Sequence, residues 1–352
     1  MLKLRHLVVG LAAGAALAAS AAAGAVSDDV YTVHNLVADA AGSAPAVDAS
    51  LVNGWGLSAG PTTPWWVSNN GTNTSTLYNA VGAKQALTVA VSGGPTGTVF
   101  NISATDFPVS QNGKSGGSRF LFSTEGGQIL GWSPTVNGTT ALLGAAAPTA
   151  GAVYKGLTIA GGRLYATDFH NARVDVFDNA FKPVSLPFSD AKIPQGFAPF
   201  GIQALNGSIF VTYAKQDADK KDDVPGGGVG YVDQFTPDGQ LVARVASGGR
   251  KNAPPNAPWG LALAPQGFGV FAGDLLIGNF GNGRVSAYQD RGGGKWVYKG
   301  QLRHGDGTLV TIDGLWAIAF GNGAAAGPAT TLYFAGGPSG EQHGVFGSIT
   351  AG

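Results

Sequence analysis

The stretch YKGLTIAGGRLYATDFHNARVDVFDN, residues 154–179, contains three short runs in which apolar residues recur at every second position. Gly161 and Gly162 separate the first two runs, and Asn171 lies between the second and the third. Alternation over four to eight residues, bounded by turn-forming residues, is typical of β-strands. The stretch therefore predicts three consecutive antiparallel strands. The middle run ends on a carboxylate, Asp168, at the point where the alternation stops.

The same arrangement recurs along the whole chain. The copies occupy residues 53–79, 95–134, 154–179, 198–238, 257–290 and the segment from 312 onward. Each opens on a glycine, and these are Gly56, Gly97, Gly156, Gly201, Gly260 and Gly314, at spacings of 41 to 59 residues. Repeats of roughly 40 to 50 residues with several strands each are typical of propeller blades. The sequence therefore predicts an all-β, six-bladed β-propeller.

The two ends of the repeat array predict how the ring closes. A fourth strand follows the third in most copies, for instance at residues 241–247 and 298–304. The last copy has no such strand after it, whereas a strand-like run, residues 31–39, precedes the first copy. We expect this N-terminal strand to complete the last blade, which leaves no unpaired edge at the seam.

Composition narrows the class of protein. The chain has 352 residues, no cysteine and only 12% charged residues, which argues against disulfides and against a nucleic-acid surface. Lys3 and Arg5 precede an apolar run and then small residues, a pattern typical of a secretory signal peptide over residues 1–25. Residues 26–352 are then one propeller domain, secreted or periplasmic, without a membrane span. We expect it to be monomeric, with a small molecule, a glycan or an extracytoplasmic protein as its partner.

Several segments resemble known families. Residues 164–168, 173–178, 199–202 and 258–261 resemble the NHL repeat. The longer stretches at 51–72, 212–223, 257–281 and 312–323 resemble a family of exported bacterial proteins of unassigned biochemical role. This resemblance implies an NHL-like propeller and export, and it implies no reaction.

The strand-end position of Asp168 defines a first candidate ring. Alignment of the second strands places six residues in register, with a one-residue gap at Glu125: Asn69, Glu125, Asp168, Tyr213, Asn279 and Gly336. Carboxylate and carboxamide oxygens are the ligands that calcium prefers. We predict Asn69, Glu125, Asp168 and Asn279 as metal ligands, in an arrangement similar to that of gluconolactonase-like calcium enzymes. The alternative is that these side chains only cap their own strands.

The residues before the opening glycines define a second ring: Trp55, Thr96, Lys155, Phe200, Trp259 and Asp313. A flat or sugar-like ligand would stack on the aromatic side chains and be oriented by the charges. We predict a ligand site formed by Trp55, Lys155, Phe200, Tyr213 and Trp259. The alternative is that the aromatic residues plug the tunnel.

An insertion in the fourth copy, residues 214–228, carries the densest charge in the chain. Asp217, Asp219, Asp222 and Asp223 are a second possible set of calcium ligands. The alternatives are a solvated hairpin tip or a loop that closes over the tunnel mouth.

Two classes of function stay open at this point. The first is an extracytoplasmic binding or interaction propeller. The second is a calcium-dependent lactonase or esterase in which Asp313 or His170 serves as the base. No nucleophile and base stand at a recognisable spacing, so the sequence favours the binding protein.

Overall fold

A computed structural model describes residues 30–251 and 253–352. The predicted signal peptide, residues 1–25, lies outside the described residues. The described chain is built from strands, with three single-turn 3₁₀ helices at Asn70–Thr72, Gly269–Phe271 and Phe280–Asn282. Within this part of the chain, no helix is long and apolar enough to cross a membrane.

The strands form six antiparallel sheets whose inner strands contact one another in a closed ring, which confirms the six-bladed propeller. The strands are given from the axis outward. Blade 1 consists of Gly54–Ser58, Trp65–Asn69, Thr74–Tyr78 and Lys84–Ala90, and blade 2 consists of Pro95–Phe100, Phe120–Thr124, Gln128–Trp132 and Leu142–Ala146. Blade 3 consists of Tyr154–Ala160, Arg163–Asp168, Arg173–Phe177 and Pro183–Val184. Blades 4 and 5 consist of Phe197–Leu205, Ser208–Lys215, Tyr231–Phe235 and Leu241–Ser247; and Pro258–Leu263, Leu275–Asn279, Arg284–Asp290 and Trp296–Gln301. A separate hairpin, Pro108–Gln111 and Lys114–Gly117, is inserted in blade 2.

Blade 6 joins the two ends of the chain, as the sequence predicts. Its first three strands are Leu315–Phe320, Leu332–Gly336 and Val345–Ala351. Tyr31–Ala38 pairs antiparallel with the third of these, with Tyr31 opposite Ala351. The short strand Ala46–Val47 adds a parallel fifth strand outside it.

Each inner strand contains a β-bulge, and the bulges fix the register between blades. The bulge residues are Trp55 and Gly56, Thr96 and Gly97, Lys155 and Gly156, Phe200 and Gly201, Trp259 and Gly260, and Trp316 and Ala317. The prediction of Gly314 as the sixth opening glycine is therefore wrong. Ala317 occupies that position, and Gly314 lies just before the strand at a φ of 64°.

The bulge glycines allow neighbouring inner strands to approach closely. A Cβ atom on Gly201 would lie 2.1 Å from the carbonyl oxygen of Trp259, and one on Gly56 would lie 2.4 Å from that of Thr96. Real Cβ atoms do not approach backbone so closely, so these positions require glycine.

Threonine hydroxyls tie these bulges to the next blade. Thr167 Oγ1 accepts a hydrogen bond from the Gly156 N–H and donates one to the Phe200 carbonyl, both at 2.7 Å. Thr212 connects blades 4 and 5 in the same way. The bulge leaves backbone N–H and C=O groups without a partner in the sheet, and these buried hydroxyls form hydrogen bonds with them.

The Gly201→Ala substitution tests this close approach. We expect it to lower the free energy of unfolding by about 2–3 kcal/mol, because the added methyl group overpacks against backbone that has no room to move. Gly138→Ala is the control, since a Cβ there meets nothing within 4 Å. Denaturant titration of both variants gives the comparison, and equal stabilities would contradict the packing argument.

Candidate functional site

The strand-end ring lies at one face of the propeller, here called the cap face, where the second strands of the blades end. The pairs Gly54 with Asn69, Tyr154 with Asp168, and Pro258 with Asn279 show equivalent positions in three blades. In blade 2 the equivalent residue is Thr124, opposite Pro95, so Glu125 is one residue further along.

Three of the four predicted calcium ligands bond only within their own blade. Asn69 donates hydrogen bonds to Thr74 and Thr76. Asp168 accepts hydrogen bonds from Val153 and Asn171. Asn279 accepts a hydrogen bond from Asn256 and donates to Ile277, Arg284 and Ser286. The oxygens of Asp168 and Asn279 already accept N–H groups, and the residues that the structure describes contain no group of three or more His, Asp or Glu side chains suited to a metal. The predicted ring therefore does not fit a calcium ion.

Alternation along the strand explains the correction. Successive side chains point to opposite faces, so a shift of one residue moves a side chain from the blade interior to the axis. The residues one position later are those that meet at the axis: Asn70, Glu125, Phe169 and Phe280. Tyr213, predicted as a ligand residue, packs instead inside the core of blades 3 and 4.

The aromatic members of the second ring form a buried plug. The indole rings of Trp55 and Trp316 stack with centroids 3.6 Å apart, and Phe280 stacks on the other face of Trp316 at 3.9 Å. Trp259 meets both indoles edge-on, and Phe200 is fully buried beside them. The alternative of a plugged tunnel is thus the one observed. A cavity of about 260 Å³ remains on the opposite side of the plug, lined in part by Leu157 and Ile318.

The two predicted bases lie away from this ring. Asp313 is exposed, and its carboxylate accepts the N–H of Ser339, because Trp316 takes the ring position in blade 6. His170 lies on the turn after Asp168, where its carbonyl accepts from Gln216. No hydrogen bond or ion pair of the described residues joins either one to the axial polar residues.

Lys155 is the centre of the polar site. Its side chain is 1% exposed, and its ammonium donates to Glu125 at 2.7 Å and to Asp222 at 3.0 Å. The same ammonium lies 4.7 Å from the ring centroid of Trp55, within the range of a cation–π interaction. A buried ammonium requires such compensation, and here it has two carboxylates and an indole face.

A chain of hydrogen bonds extends this site across the cap face. Glu125 accepts from Asn70 at 3.0 Å, and Glu341 accepts from Asn53 at 2.6 Å. Asn53 also accepts from the indole N–H of Trp316 at 3.1 Å, so the chain reaches the aromatic plug. We call Asn53, Asn70, Glu125, Lys155, Asp222, Asp223 and Glu341 the cap cluster.

Burial and charge shift the pKa values of the cluster in opposite directions. Burial alone would raise the pKa of Glu125, but the neighbouring Lys155 holds it below its usual value. Burial would lower the pKa of Lys155, and the two carboxylates outweigh this effect. Burial raises the pKa of Asp223 to about 7, since Lys155 only partly offsets it and the charge of Glu341 adds to it. Lys155 and Glu125 are therefore both charged, whereas Asp223 changes charge near neutral pH.

The charged insertion closes over the cluster, which is one of the alternatives that the sequence leaves open. Asp222 is 59% exposed and yet reaches Lys155, while Oδ2 of Asp223 is excluded from solvent. Asp217 accepts the N–H of Lys221, and Asp219 is exposed at the tip. The four carboxylates thus diverge and do not fit a calcium ion.

Sequence reasoning missed Asn53, Asn70, Trp316 and Glu341. Alignment of the WAI motif at 316–318 with WGL at 55–57 would have found Trp316. Asn70 follows from the one-residue shift at the strand end. Asn53 and Glu341 lie in turns, at φ of 51° and 67°, that no repeat pattern marks.

Comparison with known proteins supports the fold class first. The chain aligns with a streptogramin B lyase at a TM-score of 0.56 and 12% identity, covering 92% of this chain and 98% of that one. It aligns with a glucose dehydrogenase at 0.54 and 12% identity, covering 91% and 100%. At such identities the likeness concerns the propeller fold alone.

The sequence relatives then give the family, although no family model matches the chain. Uncharacterized protein L690 of Acanthamoeba polyphaga mimivirus is 30% identical over 305 residues, which cover 82% of this chain and 78% of that protein. The chain therefore belongs to the family of L690. Uncharacterized protein R640 of the same virus is 32% identical over 232 residues, and the match spans only 42% of its length. These relatives are viral, so they give no support to the expected bacterial family.

Removal of the Lys155 charge tests the electrostatics of the cluster. We expect Lys155→Met to lower the free energy of unfolding by about 3–5 kcal/mol, because it leaves Glu125 without its cation. The double variant Lys155→Met, Glu125→Gln is expected to regain much of that loss. Arg163→Met, at an exposed ion pair with Asp238, is the control and should leave the free energy of unfolding nearly unchanged. Denaturant titration measures all three, and an undiminished loss in the double variant would contradict the pairing.

The pKa of Asp223 predicts a pH-dependent loop. An open loop releases the Asp223 proton near pH 4, whereas the closed loop holds it to about pH 7. The closed state therefore loses stability as pH rises from about 4 to 7 and stays at its weakest above that range. We expect trypsin to cleave at Lys220 and Lys221 faster at about pH 8 than at about pH 5, after correction with a small substrate. Asp223→Asn should remove the difference, and a pH dependence that survives this change would refute the assignment.

Proposed function

We propose that the protein is a binding propeller that recognises a sugar-like, hydroxyl-rich molecule at the cap cluster, beneath the 214–228 loop. One observation carries the proposal: two buried polar atoms in and beside the cluster have no partner among the described residues, Oδ2 of Asp223 and Nε1 of the adjacent Trp55. Buried polar groups are normally paired, so unpaired ones beside a polar network mark hydrogen-bonding capacity for a ligand.

The chemistry of the side chains favours hydroxyl groups over other ligands. The carboxamide of Asn70 presents donors and an acceptor in one plane, and the carboxylate of Glu125 presents two acceptors, which together suit neighbouring hydroxyl groups of a sugar ring. The indole of Trp55 offers its unpaired N–H as a donor, since its ring already packs on Trp316 and beneath the Lys155 ammonium. A neutral ligand leaves the ion pair of Lys155 with Glu125 in place, so it enters without leaving the ammonium unpaired.

The loop supplies a gate for this site. Residues 218–222 are exposed, and the tip contacts the cluster mainly through the ion pair of Asp222 with Lys155. The carboxylate of this ion pair is exposed, and Lys155 keeps Glu125 as its partner when Asp222 leaves. Opening the loop therefore breaks one ion pair without leaving the ammonium unpaired.

The calcium-dependent hydrolase is not proposed, because a metal mechanism needs converging oxygen ligands beside an open substrate position. In the described residues three of the four candidate ligands bond within their own blades, Glu125 is paired with Lys155, and the indole plug occupies the axis. We propose in addition that residues 1–25 direct export and that the partner is met outside the cytoplasm.

Calorimetric titration with glucose, gluconate, N-acetylglucosamine and cellobiose tests the function. Glucose is included because one protein of the same fold is a glucose dehydrogenase. We expect at least one neutral sugar to bind, and Asp222→Asn to tighten binding about threefold to fivefold by weakening the closed loop. Asp219→Asn, on the same loop and without a contact to Lys155, should behave like the unmodified protein.

Three results would contradict the proposal. The first is the absence of binding for every sugar in both the unmodified protein and Asp222→Asn at tens of millimolar. The second is an equal effect of the two loop substitutions. The third is full binding by the variant Glu125→Ala, Asn70→Ala, which lacks both planar groups.

A further inference from the structure

An aromatic groove lies on the face opposite the cap face, between blades 1 and 2. It is about 430 Å³ in volume and is lined by Pro61, Pro64, Trp66, Phe100, Arg119 and Trp132, among others. Ligand pockets of proteins fall in the range of about 300–1,000 Å³. The groove shares no residue with the cap cluster, so a ligand site here is independent of the proposed function.

The groove floor is a stacked aromatic group. Trp66 stacks on Phe120 with ring centroids 3.9 Å apart, and Trp132 lies 4.8 Å from Trp66. Phe100 and Trp132 are only partly buried, and Ile102 at the rim is 78% exposed. A large, exposed aliphatic side chain beside half-covered aromatic rings leaves apolar surface in contact with water.

One wall of the groove belongs to a firmly held turn. Asn322 of blade 6 donates to the carbonyls of Gly60 at 2.7 Å and Thr63 at 2.9 Å. Pro61 and Pro64 lie in this turn, and proline restricts the backbone further. The groove is therefore formed before any ligand arrives.

Arg119 stands at the groove without a carboxylate partner. Its Nη1 donates to the carbonyls of Ile102 and Ser103 at 3.0 and 3.1 Å, and its guanidinium lies 4.9 Å from the centroid of Phe100. No ion pair of Arg119 exists among residues 30–251 and 253–352, and no Asp or Glu lines the groove. Nε and Nη2 thus keep three N–H donors in a fixed position for an anion.

We propose that this groove binds a flat apolar molecule that carries one carboxylate, such as an arylalkanoate. The aromatic floor takes the apolar body, and the free edge of Arg119 takes the carboxylate through paired, charge-assisted hydrogen bonds. A neutral aromatic compound gains the first interaction and lacks the second. An amine meets an unpaired guanidinium and is repelled.

Ligand-observed NMR with 3-phenylpropionate, its amide and 3-phenylpropylamine tests the site. The carboxylate should bind at least about tenfold more tightly than the amide, which corresponds to a charge-assisted hydrogen bond. Arg119→Gln should abolish that preference while the amide binds as before. Arg163→Gln, at an exposed arginine of blade 3, should leave all three affinities unchanged.

A variant at the rim of the groove tests the same interaction without a risk of unfolding the protein. Ile102→Asp changes an exposed side chain, so the fold should be retained, and the new carboxylate should compete for Arg119 and weaken 3-phenylpropionate binding about tenfold. Equal binding of the carboxylate and the amide to the unmodified protein would overturn the proposal. So would an unchanged preference in Arg119→Gln, or no saturation by 3-phenylpropionate at tens of millimolar.

Discussion

The close approach of the inner strands is the constraint on which the rest of the structure depends. Five of the six bulges contain glycine, and the neighbouring backbone occupies the space that a Cβ atom would need. This distance sets the radius of the ring. A narrow ring leaves no open channel at the cap face, so the residue beside each glycine has to pack at the axis.

The packing at the axis also explains why a lysine is buried there. The bulge position of blade 3 directs Lys155 toward Trp55, where water is excluded. An isolated ammonium in such a place is costly, and the protein offsets this cost with Glu125 from blade 2 and Asp222 from the blade 4 loop. The buried charge therefore ties together three blades, and the 214–228 loop is positioned by it.

The repeat pattern predicts the architecture well, because alternation and turn glycines are local signals. Six blades, the fourth strands and the closure by Tyr31–Ala38 all follow from it. The direction of a side chain at a strand end is not local, since a single bulge reverses it. For this reason the sequence predicts Asp168 at the axis, whereas Phe169 is found there. In blade 6 the bulge position that is glycine in the other five blades is Ala317. The repeat pattern therefore points to the nearby Gly314 instead. Glu341 and Asn53 meet only in three dimensions, so no sequence pattern marks them.

Ring closure has a consequence for how the chain folds. The strand Tyr31–Ala38 is synthesised well before its partner Val345–Ala351, because the other blades lie between them in the sequence. Until then both blade edges are exposed, and such a long-range pairing forms slowly. Before this pairing the ring stays open. Once the two strands pair, opening any one blade requires breaking a closed ring, so the native protein should unfold slowly.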